Sequence, residues 1–240
     1  MRIAECVYFY PRGGSAHAVR AISAQLQSIG HKVAVAAGSL GGEGAPTHAP
    51  TFYGPLLRAE YCYDGAVNAH TRGDDPFLER APMHVSYEDV EGAPDADASK
   101  VPFEHFERQV VAWAGTLASL DREFTPEIVH AHHLGPLNIA AQRLWPTAPH
   151  VVSLHGTEIK WLASNLRSID VNATKWWEVM AQAARSAQAV VTLNNDDREF
   201  VVDHLGVASE STHVIQGGVD PLVFNPDVPS EHRRENLWET

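Results

Sequence analysis

Two glycines and a serine, Gly13-Gly14-Ser15, follow the first apolar segment of the sequence and precede a helical pattern. Glycine lets backbone amides approach a ligand closely, and a helix N-terminus favours an anion, so this loop could bind a phosphate or diphosphate. A tight turn without a ligand explains the same residues equally well. The loop is not GxGxxG, the next strand ends in AAGSLGG without an acid for a ribose, and GxxxxGK[ST] does not occur. These patterns disfavour a dinucleotide-dependent dehydrogenase and exclude a P-loop NTPase.

Histidines mark the ends of two later apolar segments. His130 and His132 lie two residues apart, so on a strand they point to the same face. With His133 and His155 they could form a metal cluster to which Glu158 adds a carboxylate, and a metal-dependent hydrolase would use the trio His130, His132 and His155. The alternative is that they are hydrogen-bonded core or edge residues. The chain has no second HxxxH or HxH pattern, so the sequence favours the absence of a metal.

His155 ends an apolar segment and is followed directly by Gly156. A side chain at that position would project into a crevice, where a neutral imidazole could accept a hydroxyl proton or hydrogen-bond to a sugar hydroxyl. The alternative is a histidine that only holds its loop. Three tryptophans follow and could stack on sugar rings, although tryptophans at helical spacing are more often core residues: Trp161, Trp176 and Trp177.

Alternating apolar segments and helical patterns predict the elements that position these residues. Short apolar segments are typical of buried strands, and the 3.6-residue spacing of apolar side chains indicates helices between them. The pattern predicts a doubly wound, mostly parallel α/β sheet, with ligands at the carboxyl ends of its strands. The segment 58–70 predicts a hairpin around Asp64-Gly65, and 43–101 is otherwise predicted to be irregular. Strands are predicted at 3–9, 32–37, 127–132, 150–154, 189–193 and 212–216, and helices at 16–30, 103–124, 135–145, 173–188 and 195–206.

Bulk composition limits the classes of function. The 240 residues carry a net charge of −12, which disfavours non-specific binding to nucleic acid or to an anionic membrane. Cys6 and Cys62 form no CxxC pattern, and the N-terminus lacks the layout of a signal peptide. No segment is as apolar as a transmembrane helix. A cytoplasmic protein is the simplest prediction.

Five segments in order resemble one enzyme family: PRGGSAHAVRAISAQLQSIGHKVAV, PEIVHAHH, VVSLHGTEI, AVVTLNNDDREFVVDHLGV and VIQGGVDPLVFNP. Together they are similar to the N-terminal half of a retaining GT-B glycosyltransferase of family four, over residues 1 to about 226. That family has two Rossmann-like domains, of which the N-terminal one mainly holds the acceptor. The C-terminal one holds a nucleotide-diphospho-sugar donor, and no cofactor is implied.

The resemblance also implies roles for particular residues. Gly13, Gly14 and Ser15 would approach the donor diphosphate, and His155 would be the catalytic-site histidine beside the transferred sugar. The acceptor side would be lined by His132, His133, Gly156 and Glu158. The turn Gly217-Gly218-Val219-Asp220 and Phe224 would form an interdomain hinge. Gln216 and Asn194 depart mildly from the family pattern.

The predicted organisation is a Rossmann-like domain over 1–216 followed by a hinge and polar tail over 217–240, without a donor domain. Glu231 and Glu239 have the spacing of the family's donor-binding glutamates but lie in a polar tail without glycines. We therefore expect the 240-residue chain to have no measurable transferase activity alone. A non-catalytic binding module or partner subunit of a split glycosyltransferase is the second hypothesis. It would pair through its open crevice face with a donor-domain chain or a second copy.

Overall fold

A seven-stranded sheet forms the centre of the computed structural model, which describes residues 1–122 and 124–218. The strands are β1 Arg2–Val7, β2 Lys32–Ser39, β3 Leu57–Cys62, β6 Ile128–His132, β7 His150–Ser153, β8 Ala189–Thr192 and β9 Thr212–Val214. A separate pair consists of β4 Val85–Ser86 and β5 Ala96–Asp97. The predicted hinge residues Val219, Asp220 and Phe224 and the tail glutamates lie outside the described residues.

Eight α-helices connect and cover these strands in the described part of the chain. They are α1 Gly14–Ser28, α2 Ala49–Tyr53, α3 Asp64–Thr71, α4 His105–Asp121, α5 Pro136–Leu144, α6 Thr157–Asn165, α7 Val171–Arg185 and α8 Asn195–Phe200. The side chain of Asn194 caps α8 by accepting a hydrogen bond of 2.8 Å from the amide of Asp197. None of the described helices combines the length and the apolar character that a bilayer crossing requires.

The strand order is β3-β2-β1-β6-β7-β8-β9, and all six pairings in this sheet are parallel. The chain builds outward from β1 to β3, then returns to β6 and builds outward in the opposite direction. The order therefore reverses between β1 and β6, where doubly wound sheets open a crevice at their carboxyl ends. The predicted fold class is confirmed.

Both faces of the sheet are buried, as parallel strands require. In β1, Cys6 contributes to a large cluster that includes residues of α4, α5 and α7, while its neighbour Val7 contributes to a smaller cluster with α1. Glu5 is fully buried in the same strand. A charged side chain there needs partners, because burying an unpaired charge costs many kcal/mol.

The predicted hairpin at 58–70 is wrong. Residues Leu57–Cys62 form β3, which pairs in parallel with β2, and Asp64-Gly65 begins α3 instead of a turn. The Asp64 carboxylate accepts a hydrogen bond of 2.7 Å from the amide of Gly41, so its polar character serves a contact with the β2 end. β3 is the edge strand and buries alternate residues only, which gave it the appearance of a hairpin arm.

Two other expectations need correction. The prediction of an irregular segment over 43–101 is wrong for residues 49–71, which contain α2, β3 and α3. Residues Thr157–Asn165, where the sequence predicts no helix, form α6. Polar residues and glycines in both places hid short elements whose burial comes from tertiary contacts.

Gly38 lies where β2 passes close to the backbone that follows β1. A Cβ atom on Gly38 would stand 2.8 Å from the carbonyl carbon of Phe9 and 2.9 Å from the nitrogen of Tyr10. Since backbone cannot move aside cheaply, we expect Gly38→Ala to lower the free energy of unfolding by about 1–3 kcal/mol in urea denaturation.

A matched glycine should respond in the opposite direction. Gly115 is exposed within α4, and an added Cβ there meets nothing within 4 Å. Gly115→Ala should raise the free energy of unfolding by about 0.5–1 kcal/mol, because alanine restricts the unfolded chain and favours helix. A Gly38→Ala variant as stable as the parent would show that the two backbone segments can separate.

Candidate functional site

Histidines and carboxylates converge at the carboxyl ends of β1, β6 and β7, on both sides of the point where the strand order reverses. Strand β6 ends at His132, and β7 ends two residues before His155. Register places Glu5 opposite His130 and Val7 opposite His132, so Glu5, His130 and His132 share one face.

A chain of hydrogen bonds joins three of these side chains. Nε2 of His132 lies 2.9 Å from Oε2 of Glu5, and Nδ1 of His132 lies 3.0 Å from Nε2 of His155. The side chains of Glu5 and His132 are completely buried, whereas His155 is only partly buried. The chain of contacts therefore runs from the protein interior to the edge of the sheet.

Glu5 has a second histidine partner. Nδ1 of His130 lies 3.0 Å from Oε2 of Glu5, and Nε2 of His130 lies 2.8 Å from the hydroxyl oxygen of Ser153. Sequence reasoning missed Glu5 because the surrounding apolar residues indicated only a buried strand. The usable signal was the carboxylate itself, since an acid inside an apolar strand requires buried partners.

Burial and mutual contact set the charges of the cluster. Burial opposes ionisation of Glu5, but His130 and His132 together lower its pKa to about 2. Burial, followed by the nearby His130, lowers the pKa of His132 to about 4. Burial, followed by His133 and His132, lowers the pKa of His155 to about 3. At neutral pH the cluster thus combines an ionised carboxylate with neutral His132 and His155.

Glu158 fixes the backbone of His155 from the opposite side. It is fully buried near the start of α6, and its Oε1 accepts a hydrogen bond of 2.9 Å from the amide of His155. Burial opposes its ionisation, but the adjacent His133 lowers its pKa to about 2. Gly156, with φ of 92°, provides the turn between them, and a Cβ there would meet nothing within 4 Å.

His133 adopts the left-handed backbone conformation, with φ of 68°. Its ring packs between those of Phe9 and His155, with centroids 4.9 Å and 4.6 Å away. Nδ1 of His133 lies 3.3 Å from Oε1 of Glu158 but is not aligned for a hydrogen bond. Such strain in a non-glycine residue is concentrated at functional sites.

The glycine loop lies at the start of α1. Gly13 is the extended N-cap, Gly14 is the first helical residue, and no side chain caps this end of the helix. A Cβ on either glycine would meet open space. Arg12 precedes the loop and donates hydrogen bonds to the Asp95 carboxylate at 2.7 Å and the Tyr10 hydroxyl at 3.0 Å. The loop therefore offers exposed amides at a helix N-terminus.

Of the predicted site residues, the structure brings His132, His133, His155 and Glu158 into one cluster with Gly156 beside it. The side chains of His132 and Glu158 are completely buried and that of His133 is 5% exposed, whereas His155 is only partly buried. The predicted tryptophans are core or packing residues. Indole nitrogens donate to the Asp97 carboxylate for Trp161, to the Val101 carbonyl for Trp176 and to the Leu162 carbonyl for Trp177.

Part of this cluster places three potential metal-ligand atoms close together. Glu5, His130 and His132 each offer one ligand atom, and these atoms lie within 4.8 Å of one another. The set differs from the predicted histidine trio because Glu5 takes the place of His155. The Glu5 carboxylate already accepts hydrogen bonds from both rings, so an ion there would have to replace these contacts.

Comparison with known proteins gives a family match over most of the chain. Residues 12–221 match the family described as Glycosyltransferase Family 4. No curated protein sequence matches this chain.

Several solved structures resemble the fold. A glycosyltransferase from Rickettsia africae superposes with a TM-score of 0.50 at 16% identity, covering 98% of this chain and 48% of its own. Sucrose-phosphate synthase from Thermosynechococcus elongatus has a TM-score of 0.54 at 11% identity, with 99% and 52% covered. UGT89C1 from Arabidopsis thaliana, complexed with UDP, has a TM-score of 0.50 at 11% identity, with 100% and 55% covered. The chain thus spans about half the length of these structures.

Proposed function

Because the match extends over residues 12–221, the chain belongs to Glycosyltransferase Family 4, and we propose that it is the acceptor-side domain of a retaining glycosyltransferase. The reaction moves a sugar from a nucleotide-diphospho-sugar to an acceptor hydroxyl. The observation that carries the proposal is His155, a partly buried, neutral imidazole at the carboxyl edge of the sheet with a fixed backbone.

The diphosphate of the donor binds at the glycine loop in this proposal. The amides at the start of α1 have no capping side chain, and Gly13 and Gly14 leave room for a ligand to approach. Arg12 adds less than its charge suggests, because Asp95 already pairs with it at 2.7 Å. The amides of Gly14 and Ser15 are therefore the principal anion ligands on this side of the cleft.

His155 acts on the transferred sugar. Its low pKa keeps the ring neutral at pH 7, so it accepts a hydrogen bond from a sugar hydroxyl without carrying a positive charge. Gly156 lies beside it and lines the acceptor side. His132, His133 and Glu158 support that arrangement from within, since all three are buried. Stabilisation is electrostatic and positional, with no covalent cofactor.

A donor-side domain supplies the remaining groups in this proposal, either as a separate chain or as further sequence, and the crevice face meets it. A homo-oligomer through that face and a non-catalytic binding module are the alternatives. The acidic net charge disfavours nucleic acid as a partner. The free cysteines Cys6 and Cys62 support a cytoplasmic location.

The first test follows the backbone amides of the glycine loop. UDP, GDP and ADP are added separately to the ¹⁵N-labelled chain, and we expect shifts at Gly13, Gly14 and Ser15. Gly14→Asp places a carboxylate in the first turn and should weaken binding at least about tenfold, since like charges repel there. Gly42→Asp, at another exposed glycine, should bind as the parent does. Shifts that persist unchanged in Gly14→Asp would contradict the proposed diphosphate site.

The second part of the test is transfer itself. Nucleotide sugars and hydroxyl acceptors are incubated with the chain alone and with a separately produced family 4 donor domain, and glycosylated product is measured by mass spectrometry. We expect product only in the mixture. Product from the chain alone would contradict the proposed inactivity. Acceptor binding without product in any mixture would support the binding module.

A further inference from the structure

We propose that Glu5 is a positioning residue that acts through His132 to hold His155 in one tautomer, with the proton on Nε2 and the electron pair of Nδ1 available to a substrate hydroxyl. The inference rests on the proposed function for the identity of that hydroxyl. The hydrogen-bond chain itself rests only on the geometry of the three side chains.

The chain of hydrogen bonds starts at Glu5, whose ionised carboxylate can only accept hydrogen bonds. Glu5 is fully buried, and its Oε2 lies 2.9 Å from Nε2 of His132 and 3.0 Å from Nδ1 of His130. An ionised carboxylate has no proton to donate. The nitrogen of each ring that faces Glu5 must therefore carry the hydrogen.

The second link depends on the opposite roles of the two nitrogens in the His132 ring. A neutral imidazole with its proton on Nε2 has an electron pair on Nδ1. That Nδ1 lies 3.0 Å from Nε2 of His155, so the hydrogen bond between the two rings requires the proton on the His155 side. The tautomer of His155 is thus fixed by a carboxylate that it does not touch.

The third link concerns the other ring nitrogen of His155, Nδ1. With Nε2 occupied as a donor, Nδ1 of His155 carries the electron pair. No group among the described residues is hydrogen-bonded to that Nδ1. Glu158 holds the His155 amide at 2.9 Å, which fixes the backbone from which the ring projects, and the contact of Nε2 with His132 orients the ring itself. A hydroxyl that approaches His155 therefore meets an acceptor.

The opposite arrangement would change the chemistry of the site. If Nδ1 of His155 carried the proton, it would donate to a substrate oxygen and could not receive a hydroxyl proton. A carboxylate that accepts a hydrogen bond directly from a histidine fixes the tautomer of that ring. Here the distance between Glu5 and the surface is spanned by a second imidazole.

His130 provides an internal check on the same reasoning. Because its Nδ1 faces Glu5, that nitrogen carries a proton, and Nε2 lies 2.8 Å from the hydroxyl oxygen of Ser153. One carboxylate thus fixes a proton on Nδ1 of one histidine and on Nε2 of its neighbour. That contrast distinguishes the proposed chain from a cluster of independently hydrogen-bonded rings.

Histidine side-chain ¹⁵N spectra of the full chain at pH 7 test the proposal. We expect protonated-type shifts at Nε2 of His155, Nε2 of His132 and Nδ1 of His130, and an unprotonated-type shift at Nδ1 of His155. A protonated Nδ1 on His155 would overturn the proposal with the parent protein alone, without any variant.

Variants add a readout that a purely structural role would not move. Glu5→Gln can donate as well as accept, so the two nitrogen shifts of His155 should move toward each other as its tautomers mix. Glu43→Gln, at an exposed glutamate, should leave them unchanged. Unchanged His155 shifts in a folded Glu5→Gln variant would count against the proposal. Any variant that does not fold leaves the decision to the parent spectrum.

Two further measurements distinguish the proposed hydrogen-bond chain from a metal site and from a failure of the proposed function. Elemental analysis that found one metal ion per purified chain would overturn it, since an ion ligated by His132 would replace the proton on Nε2 of that ring. If the expected tautomers appear but nucleotide sugars and polyhydroxyl acceptors leave the Nδ1 shift of His155 unchanged, the positioning chain stands and the proposed function fails. A shift at Nδ1 on addition of those ligands supports both.

Discussion

Replacing Trp113 with alanine is expected to lower the free energy of unfolding by about 3–5 kcal/mol, the usual cost of emptying a large aromatic site in a core. Trp113 is 1% exposed on α4, and its ring stacks on that of Tyr61 with centroids 4.4 Å apart. Tyr61 belongs to β3, one of the two edge strands. The variant should therefore loosen the edge of the sheet together with α4, which urea unfolding monitored by circular dichroism would measure.

The same helix offers a control. Val111 lies two residues from Trp113 but is 62% exposed, so Val111→Ala removes little buried area and should change the free energy of unfolding by less than about 0.5 kcal/mol. Equal effects of the two substitutions would mean that α4 does not pack on β3 through Trp113.

Acidification should destabilise the fold well above the pH at which carboxylates normally titrate. Burial is the first cause that lowers the pKa of His84 to about 3, of His132 to about 4 and of His155 to about 3. Histidines in the unfolded chain bind protons from about pH 6.5 downward, while these rings stay neutral in the folded state. The unfolded state therefore gains protons first, and stability falls as the pH falls below 6.5.

The size of this effect follows from about 1.4 kcal/mol for each pKa unit. Between pH 7 and pH 5 we expect a loss of at least about 2 kcal/mol, less than the sum over three rings because they interact. Below pH 4.5, Glu5 and Glu158 add to the loss, since their pKa values are both lowered to about 2.

Urea unfolding at a series of pH values would measure this dependence. His155→Gln should reduce the slope of stability against pH between 4 and 6.5 by up to one proton. His155 faces His130, His132, His133 and Glu158, so part of its contribution is shared. His70→Gln, at an exposed position on α3, serves as the control and should leave the slope unchanged. A midpoint independent of pH between 7 and 5 would contradict neutral buried histidines.

The elements that could be predicted from the sequence are those with a continuous local pattern. The β1, β6 and β7 segments are short apolar runs, and α4 keeps one apolar face over four turns, so their existence followed from periodicity. The order of strand ends then located His132, His133, His155 and Glu158 at one edge, because parallel strands place their carboxyl ends together.

The other features could not be predicted because they depend on contacts between residues far apart in the sequence. The alternation in β3 is shared by parallel edge strands and hairpin arms, and only pairing with β2 separates them. The role of Glu5 arises from His130 and His132, which register brings beside it after the fold has formed. The burial of His132 likewise could not be predicted from the neighbouring sequence, since a residue at the end of a strand can face either solvent or another ring.

The pairing of β1 with β6 joins segments that are synthesised at different times. Glu5 precedes His130 by 125 residues and His132 by 127 residues in the chain. At about 5–20 residues per second, the ribosome makes Glu5 roughly 6–25 s before its partners. During that interval β1 can pair with β2 but not with β6, and Glu5 lacks both of the histidines that contact it in the folded protein.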